Sequence, residues 1–354
     1  MNALHQTGSR ARTLDVLRLF AIFQMVQGHT IDAVLAPAYR SGFIHDLWQS
    51  ARGLTSVAFL FLAGVGFAFA TRTERGRGPE ARARRMRRAA LLIALGYGMR
   101  APFLALALGD AAAKITALQQ AVIVDVLQCI GVTLLLLDGL ALLIREPRER
   151  AKATLMMGAL LVMLGPLAAE IDAGGPLRPL LAYATSNGGS LFPLIPWAGH
   201  VLLGAGIGPM FFEHGDEALG MQRARRSLRL ALLGGALIAL GVWLAASGHP
   251  ALGQLARLGC VLWLAALLVP FESALARWPG WLLALAQHSL LIYLLHVVLA
   301  YGQGVGLSAW VGRTLAPGPA LVVAAAMLAL SAGAALAYDL VQRRGSLAAR
   351  AAPG

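Results

Sequence analysis

The chain has 354 residues, of which 58% are hydrophobic and 13% are charged, and its mean hydropathy is +0.68. Soluble domains carry about 25% charged residues, so this composition excludes an ordinary soluble protein and leaves no room for a separate soluble domain. The net charge of +13 does not indicate a nucleic-acid partner, because the basic residues lie between apolar segments. Cys129 and Cys260 both fall in apolar runs, and they predict neither a disulfide framework nor a metal site.

Apolar runs predict an all-α fold: a polytopic integral membrane bundle of about ten helices. A transmembrane domain over 14–341 would then lie between an N-terminal tail, 1–13, and a C-terminal tail, 342–354. Most basic residues fall in alternate loops, above all in 72–88, so the positive-inside rule predicts that both termini are cytoplasmic. The predicted spans are 14–36, 53–71, 89–109, 118–144, 153–171, 192–212, 228–247, 252–271, 281–303 and 318–341.

The first span, LDVLRLFAIFQMVQGHTIDAVL, is unusual because it carries ionisable residues, namely Asp15, Arg18, His29 and Asp32. An Arg or Asp at the centre of a membrane helix costs about 2.5–3.5 kcal/mol on insertion scales, so a simple anchor would not be expected to carry them. Arg18 and His29 are eleven positions apart, about three helical turns, and therefore share one helix face at different depths. The alternative interpretation is that Arg18 reaches lipid phosphates and His29 satisfies a buried hydrogen bond.

Polar residues from several other segments are predicted at the depth of His29, near the outer face. His296 lies fifteen residues into the ninth span, as His29 does in the first, so the two imidazoles are predicted at one level. Arg257 in the eighth span is the expected counter-charge for Asp125 or for another acid, because an intramembrane carboxylate needs a partner, although the sequence alone does not pair them. The further residues at this level are Asp125 and Gln128 in the fourth span, Arg100 at the end of the third, His200 in the sixth, and His45 and Asp46 in the first external loop.

This arrangement favours acyl transfer across the membrane. Histidine titrates near neutral pH and can take a proton from a hydroxyl or an amine as a general base. Transfer from a thioester also needs donors for the oxyanion and a site for the anionic donor molecule. Arg18, near the predicted cytoplasmic face, is the candidate contact for the phosphates of a cytosolic acyl-CoA, whose acyl arm would reach towards His29.

Five segments resemble the transmembrane acyltransferase superfamily. RTLDVLRLFAIFQMVQGH (12–29) is similar to its first helix, with an arginine and a histidine eleven positions apart, although Leu19 stands where the family usually has Gly. The other segments resemble the heparan-α-glucosaminide N-acetyltransferase-like branch, which includes bacterial relatives of unknown substrate. They are GLTSVAFLFLAGVGFA (53–68), DVLQCIG (125–131), FPLIPWAGHVLLGAGIG (192–208) and SLLIYLLH (289–296).

The resemblance implies two candidates for the principal catalytic residue. In that branch a histidine in the first external loop is catalytic and a polar residue at the end of the first helix assists it, which corresponds to His45 and His29. In the broader superfamily the helix-one histidine itself is catalytic, which favours His29. The candidate catalytic residues are thus His29, His45, Asp32, Asp46, Asp125 and His296, with the acids orienting a histidine, and the candidate contacts to the acyl-CoA are Arg18, Gln128 and Arg100.

The expected activity is transfer of an acetyl or other acyl group from cytosolic acyl-CoA to an extracytoplasmic sugar or amine, with histidine as base or acyl carrier and no metal. The expected partners are the lipid bilayer of a bacterial inner membrane, acetyl-CoA or another acyl-CoA, and a small-molecule or glycan acceptor. Nucleic acid is excluded, and a homodimer is a candidate assembly. The alternatives are a proton-coupled transporter with a relay through His29, Asp125 and His296, and a non-catalytic membrane scaffold.

Overall fold

The computed structural model describes residues 12–101, 107–172, 174–212, 220–275 and 277–351. The chain is 81% helical, and the described ranges contain no β-strand, which confirms the all-α prediction. Most of the predicted 1–13 tail lies outside these ranges, as do residues 352–354. The helices of eight or more residues are α1 (Arg12–Val34), α2 (Phe43–Arg52), α3 (Leu54–Ala70), α4 (Pro79–Arg100), α5 (Ala111–Ala121), α6 (Val126–Leu143), α7 (Pro147–Met163), α8 (Leu194–Phe212), α9 (Gly220–Ala246), α10 (Gln254–Leu268), α11 (Gly280–Gln287), α12 (Ser289–Tyr301) and α13 (Pro317–Ala351).

Six helical segments of the described chain are long and apolar enough to cross a membrane, and a seventh is added if α11 and α12 together form one span. These two helices meet at His288 with a bend of 67°, where the sequence predicted one continuous span over 281–303. The protein is therefore a multi-pass membrane protein. Helices α1, α4 and α7 overlap the remaining predicted spans, and residues 102–106 of the predicted span 89–109 lie outside the described residues. Helix α4 begins at Pro79, before that predicted span, because the charged segment that precedes its apolar part is also helical. The six segments are Phe43–Ala70, Val126–Leu143, Leu194–Phe212, Met221–Ala246, Pro250–Leu275 and Pro317–Arg344.

The chain divides into two compact units. The central unit comprises the described residues of Ser56–Val269, and the terminal unit comprises those of Arg10–Thr55 and Pro270–Gly354. The terminal unit thus combines both ends of the chain, and it contains α1, α2, α11, α12 and α13.

Small residues allow the helices of the central unit to pack closely. A Cβ atom added at Gly64 of α3 would overlap the carbonyl oxygen of Val201 in α8, and one added at Gly204 of α8 would overlap that of Phe61 in α3. Without a hydrophobic driving force between helices in lipid, such close backbone approach is a main source of attraction. Close backbone packing at glycine also joins α9 to α10, where a Cβ at Gly259 would lie 2.5 Å from the carbonyl oxygen of Gly234.

The terminal unit fixes the C-terminal end of α1 firmly. The amide of Ala36 donates to the carbonyl of Leu315 at 2.9 Å, and the amide of Leu315 donates to that of Val34 at 2.9 Å. A buried cluster surrounds this end of the helix, with Trp48, Leu307 and Val311 packed against it. The cluster consists of Ile31, Ala33, Val34, Leu35, Ala300, Ala320 and Ala324.

Candidate functional site

Two histidines from opposite ends of the sequence are hydrogen-bonded in the terminal unit. Nδ1 of His29 on α1 lies 2.9 Å from Nε2 of His296 on α12, and the two rings are nearly parallel, with an interplanar angle of 6°. His296 is fully buried, while His29 is partly exposed. Tyr293 and Tyr301 flank the pair, their rings edge-on to those of His296 and His29, respectively. The structure therefore places the predicted imidazoles at one level and in direct contact.

The hydrogen bonds of His296 determine which nitrogens carry protons. Nδ1 of His296 lies 2.7 Å from the carbonyl oxygen of Ile292, and because a carbonyl only accepts, this nitrogen must be the donor. In a neutral His296, Nε2 then has a free lone pair and accepts the hydrogen bond from Nδ1–H of His29. A neutral His29 consequently has an unprotonated Nε2, to which no described residue is hydrogen-bonded. These hydrogen bonds therefore hold the neutral pair in one tautomer, with the unprotonated Nε2 on the partly exposed His29.

Next to the histidine pair, the carboxylate of Asp32 is surrounded by guanidinium groups. Arg40 donates from Nη1 to Asp32 Oδ1 at 2.9 Å and from Nη2 to the Asp32 carbonyl. Arg52 and Arg313 approach the same carboxylate at 3.6 and 4.0 Å. The hydroxyl of Tyr301 lies 3.1 Å from Asp32 Oδ2 and 3.0 Å from the carbonyl of His29. Asp32 is thus engaged by arginines and a tyrosine rather than by a histidine ring, which differs from the orienting role that the sequence predicted.

Helix α2 carries His45 on the face that packs towards α1. The indole Nε1 of Trp48 donates to Gln27 Oε1 of α1 at 2.9 Å, and the ring of His45 stacks obliquely on Trp48. His45 Nδ1 lies 3.6 Å from Asp46 Oδ1, and both ring nitrogens are buried without a hydrogen-bond partner among the described residues. The side chain of Arg52 lies across α1, where a Cβ atom at Gly28 would be 3.1 Å from it.

Arg18 lies at the opposite end of α1 from His29. Its Nη1 donates to Asp15 Oδ1 at 3.1 Å, and its side chain is 15% exposed. The eleven residues between Arg18 and His29 correspond to about 16 Å along the helix. On the same end of α1, Thr13 donates a buried hydrogen bond to Glu272 Oε1 at 2.8 Å. Arg18 and His29 are therefore on one helix, about three turns apart.

Asp125, Arg100 and Gln128 form a separate cluster in the central unit. The sequence placed Asp125 inside a continuous span over 118–144, but the helix is interrupted and Asp125 is the N-cap of α6. Its Oδ2 accepts from Nε and Nη2 of Arg100 at 3.0 and 2.9 Å. The counter-charge is therefore Arg100 rather than the expected Arg257. Gln128 is fully buried, accepts from the Asp125 amide through Oε1, and has an Nε2 without a hydrogen-bond partner among the described residues.

The loop that follows α7 is anchored near this cluster. The hydroxyls of Tyr97 and Tyr183 lie 2.8 Å apart, and burial, followed by this hydrogen bond, raises the pKa of Tyr183. The Ser190 hydroxyl accepts from the amide of Val124 at 3.0 Å. This part of the loop is thus held against the residues that precede α6.

The surroundings of two further histidines, His200 and His288, indicate structural roles. His200 of α8 is fully buried, with its ring 5.8 Å from that of Trp197, so it is not the solvated residue that its predicted position near the outer face allowed. His288, at the bend between α11 and α12, lies 3.2 Å from Asp339 Oδ1 of α13.

Sequence reasoning missed most of the charged shell around Asp32. Sequence analysis did not single out Arg40, Arg52 or Arg313 as partners of Asp32, although an acid within a membrane span requires counter-charges that nearby loops can supply. No sequence signal identified Tyr301, which the chain brings to α1 from far along the sequence. Among the residues described, no group of three or more His, Cys, Asp or Glu side chains is arranged to hold a metal ion.

Comparison with known families identifies a match over the part of the chain that contains helices α1 to α9. The family model described as heparan-alpha-glucosaminide N-acetyltransferase, catalytic, matches residues 10–247, which is more than half of the 354-residue chain. This range contains His29, Asp32 and His45, whereas His296 follows its end. A search of the curated proteins finds no match. The match confirms the resemblance seen in the sequence motifs, and it supports a membrane acetyltransferase. The chain therefore belongs to the heparan-α-glucosaminide N-acetyltransferase catalytic family.

Proposed function

We propose that the protein transfers an acetyl or similar acyl group from cytosolic acyl-CoA to an extracytoplasmic sugar or amine, with His29 as the general base. The observation that carries this proposal is the 2.9 Å hydrogen bond from His29 Nδ1 to His296 Nε2. It leaves Nε2 of His29 as a proton acceptor on a partly exposed side chain. Acetyl-CoA is the donor that the family uses in general.

In the proposed reaction His29 Nε2 takes the proton from the acceptor hydroxyl or amine as that group attacks the thioester carbonyl. A carbon–oxygen or carbon–nitrogen bond forms, the carbon–sulfur bond breaks, and the imidazolium returns the proton to the leaving thiolate. His296 stabilises the imidazolium by accepting from Nδ1–H. Positioned general bases contribute about 10²- to 10⁴-fold to rate. In a variant of this scheme, His29 Nε2 attacks the thioester itself and carries the acyl group as an acyl-imidazole.

The remaining candidate residues have supporting roles in the proposal. His45 is the second candidate base, with Asp46 beside it to orient its ring, and Asp32 holds the guanidinium groups near His29. Arg18 binds a phosphate of the acyl-CoA from the opposite end of α1. The Arg100–Asp125–Gln128 cluster contributes further contacts to the acyl-CoA, for which Gln128 offers a buried Nε2–H group with no partner among the described residues.

The proposal includes a topology. Ten membrane-spanning helices in one 14–341 domain, both termini in the cytoplasm and a location in a bacterial inner membrane would place the His29 end of α1 at the outer face. The alternation of basic and non-basic loops supports this orientation. The donor nucleotide would then remain on the cytoplasmic side while the acyl group reaches the acceptor.

Thiol release from acetyl-CoA by the purified protein, with and without aminosugars, tests the proposed activity. We expect acceptor-dependent release that His29→Ala lowers by at least about 10²-fold. The same substitution at the exposed His249 is the matched control and should leave the rate unchanged. His45→Ala, measured in parallel, separates the two candidate bases. Unchanged thiol release in His29→Ala would exclude this residue as the base.

The hydrogen-bonded histidine pair also favours a second function, a proton-coupled transporter, because linked imidazoles can pass protons through a membrane. Asp125 is less suited to such a relay than the sequence indicated, since it pairs with Arg100. Proteoliposomes separate the two functions. Proton-driven uptake of an unmodified solute without thiol release would favour transport, whereas thiol release with covalent change of the acceptor would favour the transferase.

A further inference from the structure

Helix α2, which packs towards α1 through Trp48 and Arg52, also has an exposed apolar face. Phe43, Ile44 and Leu47 are 80%, 83% and 60% exposed. His45, Trp48 and Arg52 lie on the side that packs towards α1, and Asp46, Gln49 and Ser50 form a polar face. A short helix with separate apolar and polar faces, located between two longer helices, is typical of the membrane–water interface.

A second segment near the same end of α1, Leu307–Trp310 with the residues just before it, also exposes apolar side chains. In the short helix Leu307–Trp310, Leu307 packs on the buried cluster at the end of α1, while Trp310 is 78% exposed. Val305 just before it is 64% exposed. Exposed tryptophans concentrate at the level of lipid headgroups. Two segments around the same end of α1 therefore present apolar and aromatic side chains that suit contact with lipid.

The charges at this end of α1 favour an anion. Three guanidinium groups share the single carboxylate of Asp32, so positive charge is in excess beside His29. Arg40 is fully engaged with Asp32 and the carbonyl of Leu35, but Arg52 and Arg313 approach the carboxylate only at 3.6 and 4.0 Å. The Arg313 side chain is 58% exposed. The nearby Asp46 is 75% exposed and contacts His45 instead.

We infer that the acceptor is a membrane lipid with an anionic, phosphate-bearing headgroup, which enters the site from the bilayer rather than from water. The inference rests on the proposed function, in which His29 is the base. The guanidinium groups of Arg52 and Arg313 bind the phosphate, a geometry for which arginine is well suited. The acyl chains lie against Phe43, Ile44 and Leu47. A hydroxyl or amine on the same headgroup then presents its proton to His29 Nε2.

The reaction with such a lipid balances without a further reactant. The headgroup hydroxyl or amine forms an ester or amide bond to the acyl carbon, the carbon–sulfur bond of the thioester breaks, and CoA leaves as the thiol. The proton that the acceptor loses is the one that the thiol gains, by way of His29. The phosphate remains unchanged and only positions the headgroup.

Transfer of radiolabel to lipid tests the inference. Membranes that contain the protein are incubated with acetyl-labelled acetyl-CoA and extracted into an organic and an aqueous phase. We expect label in the organic phase, bound by an anion-exchange resin, and lost in His29→Ala but not in His249→Ala. Label confined to the aqueous phase, or to lipids that the resin does not bind, would overturn the inference and leave the acetyltransferase proposal standing. Absence of any transfer or thiol release would instead count against the proposed function.

Binding provides a readout that does not depend on transfer. The midpoint of thermal unfolding of the purified protein in detergent is measured with dihexanoyl phosphatidic acid, with dihexanoyl phosphatidylcholine and with inorganic phosphate. Since a ligand stabilises the state that it binds, we expect the largest rise with phosphatidic acid and a smaller rise in Arg313→Gln. An equal rise with inorganic phosphate would indicate a water-soluble anion, and an equal rise with phosphatidylcholine would remove the requirement for net negative charge. Either result would refute the inference.

Discussion

Replacing His296 with Phe tests the tautomer assignment directly. Phe retains a flat ring in the buried position next to Tyr293, but it removes the acceptor for His29 Nδ1–H and the donor to Ile292. His29 keeps its imidazole yet is free to rotate and to change tautomer. Removing a residue that orients a functional histidine costs about 10- to 100-fold in related sites, which corresponds to about 1.4–2.7 kcal/mol of transition-state stabilisation. This loss should be smaller than that of His29→Ala.

Initial rates of thiol release with saturating acetyl-CoA measure this effect, in the single variants and in the His29→Ala, His296→Phe double variant. Because both residues act through one nitrogen, the double variant should be no slower than His29→Ala alone. Thermal unfolding in detergent checks that the fold is retained. A wild-type rate in His296→Phe, or independent losses that multiply in the double variant, would refute the assignment of His296 as the residue that positions the base.

Three further substitutions have definite expected outcomes. Asp32→Asn removes the shared partner of the guanidinium groups and should lower the free energy of unfolding by about 2 kcal/mol, measured by denaturation in detergent, whereas Asp46→Asn at a largely exposed carboxylate should change it little. Tyr301→Phe removes one hydroxyl bond worth about 1 kcal/mol and should slow thiol release about fivefold; an unchanged rate would show that the hydroxyl does not support His29. Gly204→Ala places a Cβ against the Phe61 carbonyl and should sharply reduce the yield of folded protein, unlike Gly98→Ala, which meets no atom within 4 Å.

Sequence analysis could predict that His29 and His296 lie at one level, because the depth of a residue in a membrane helix follows from its distance along the chain from the start of the span. His29 and His296 lie at equal offsets from the starts of their predicted spans, and a rise of 1.5 Å per residue converts equal offsets into equal depth. The family resemblance could also be recognised from the sequence, since the motifs of the family retain their order along the chain. Neither argument identified which side of each helix faces which neighbour, and so neither predicted the hydrogen bond itself.

Helix ends and loop packing could not be obtained in this way. Hydropathy averages over about 19 residues, so it joined α5 to α6 across the break that makes Asp125 an N-cap, and it joined α11 to α12 across the bend at His288. The guanidinium groups around Asp32 come from positions that share no periodic pattern. Their convergence depends on α2 folding back on α1 and on the segment before α13, both of which are set by tertiary contacts.

The terminal unit combines segments from both ends of the chain, and this affects how the protein folds during synthesis. His29 is translated 267 residues before its partner, and at about 5–20 residues per second the ribosome needs roughly 15–50 seconds to reach it. During that interval α1 is in the translocon or the bilayer with its imidazole unsatisfied. A nascent chain stalled before α12 would therefore contain α1 without its packing partner, a state that quality-control proteases can recognise. Slow elongation through residues 56–269 should then reduce the yield of mature protein more than slow elongation in the final helix.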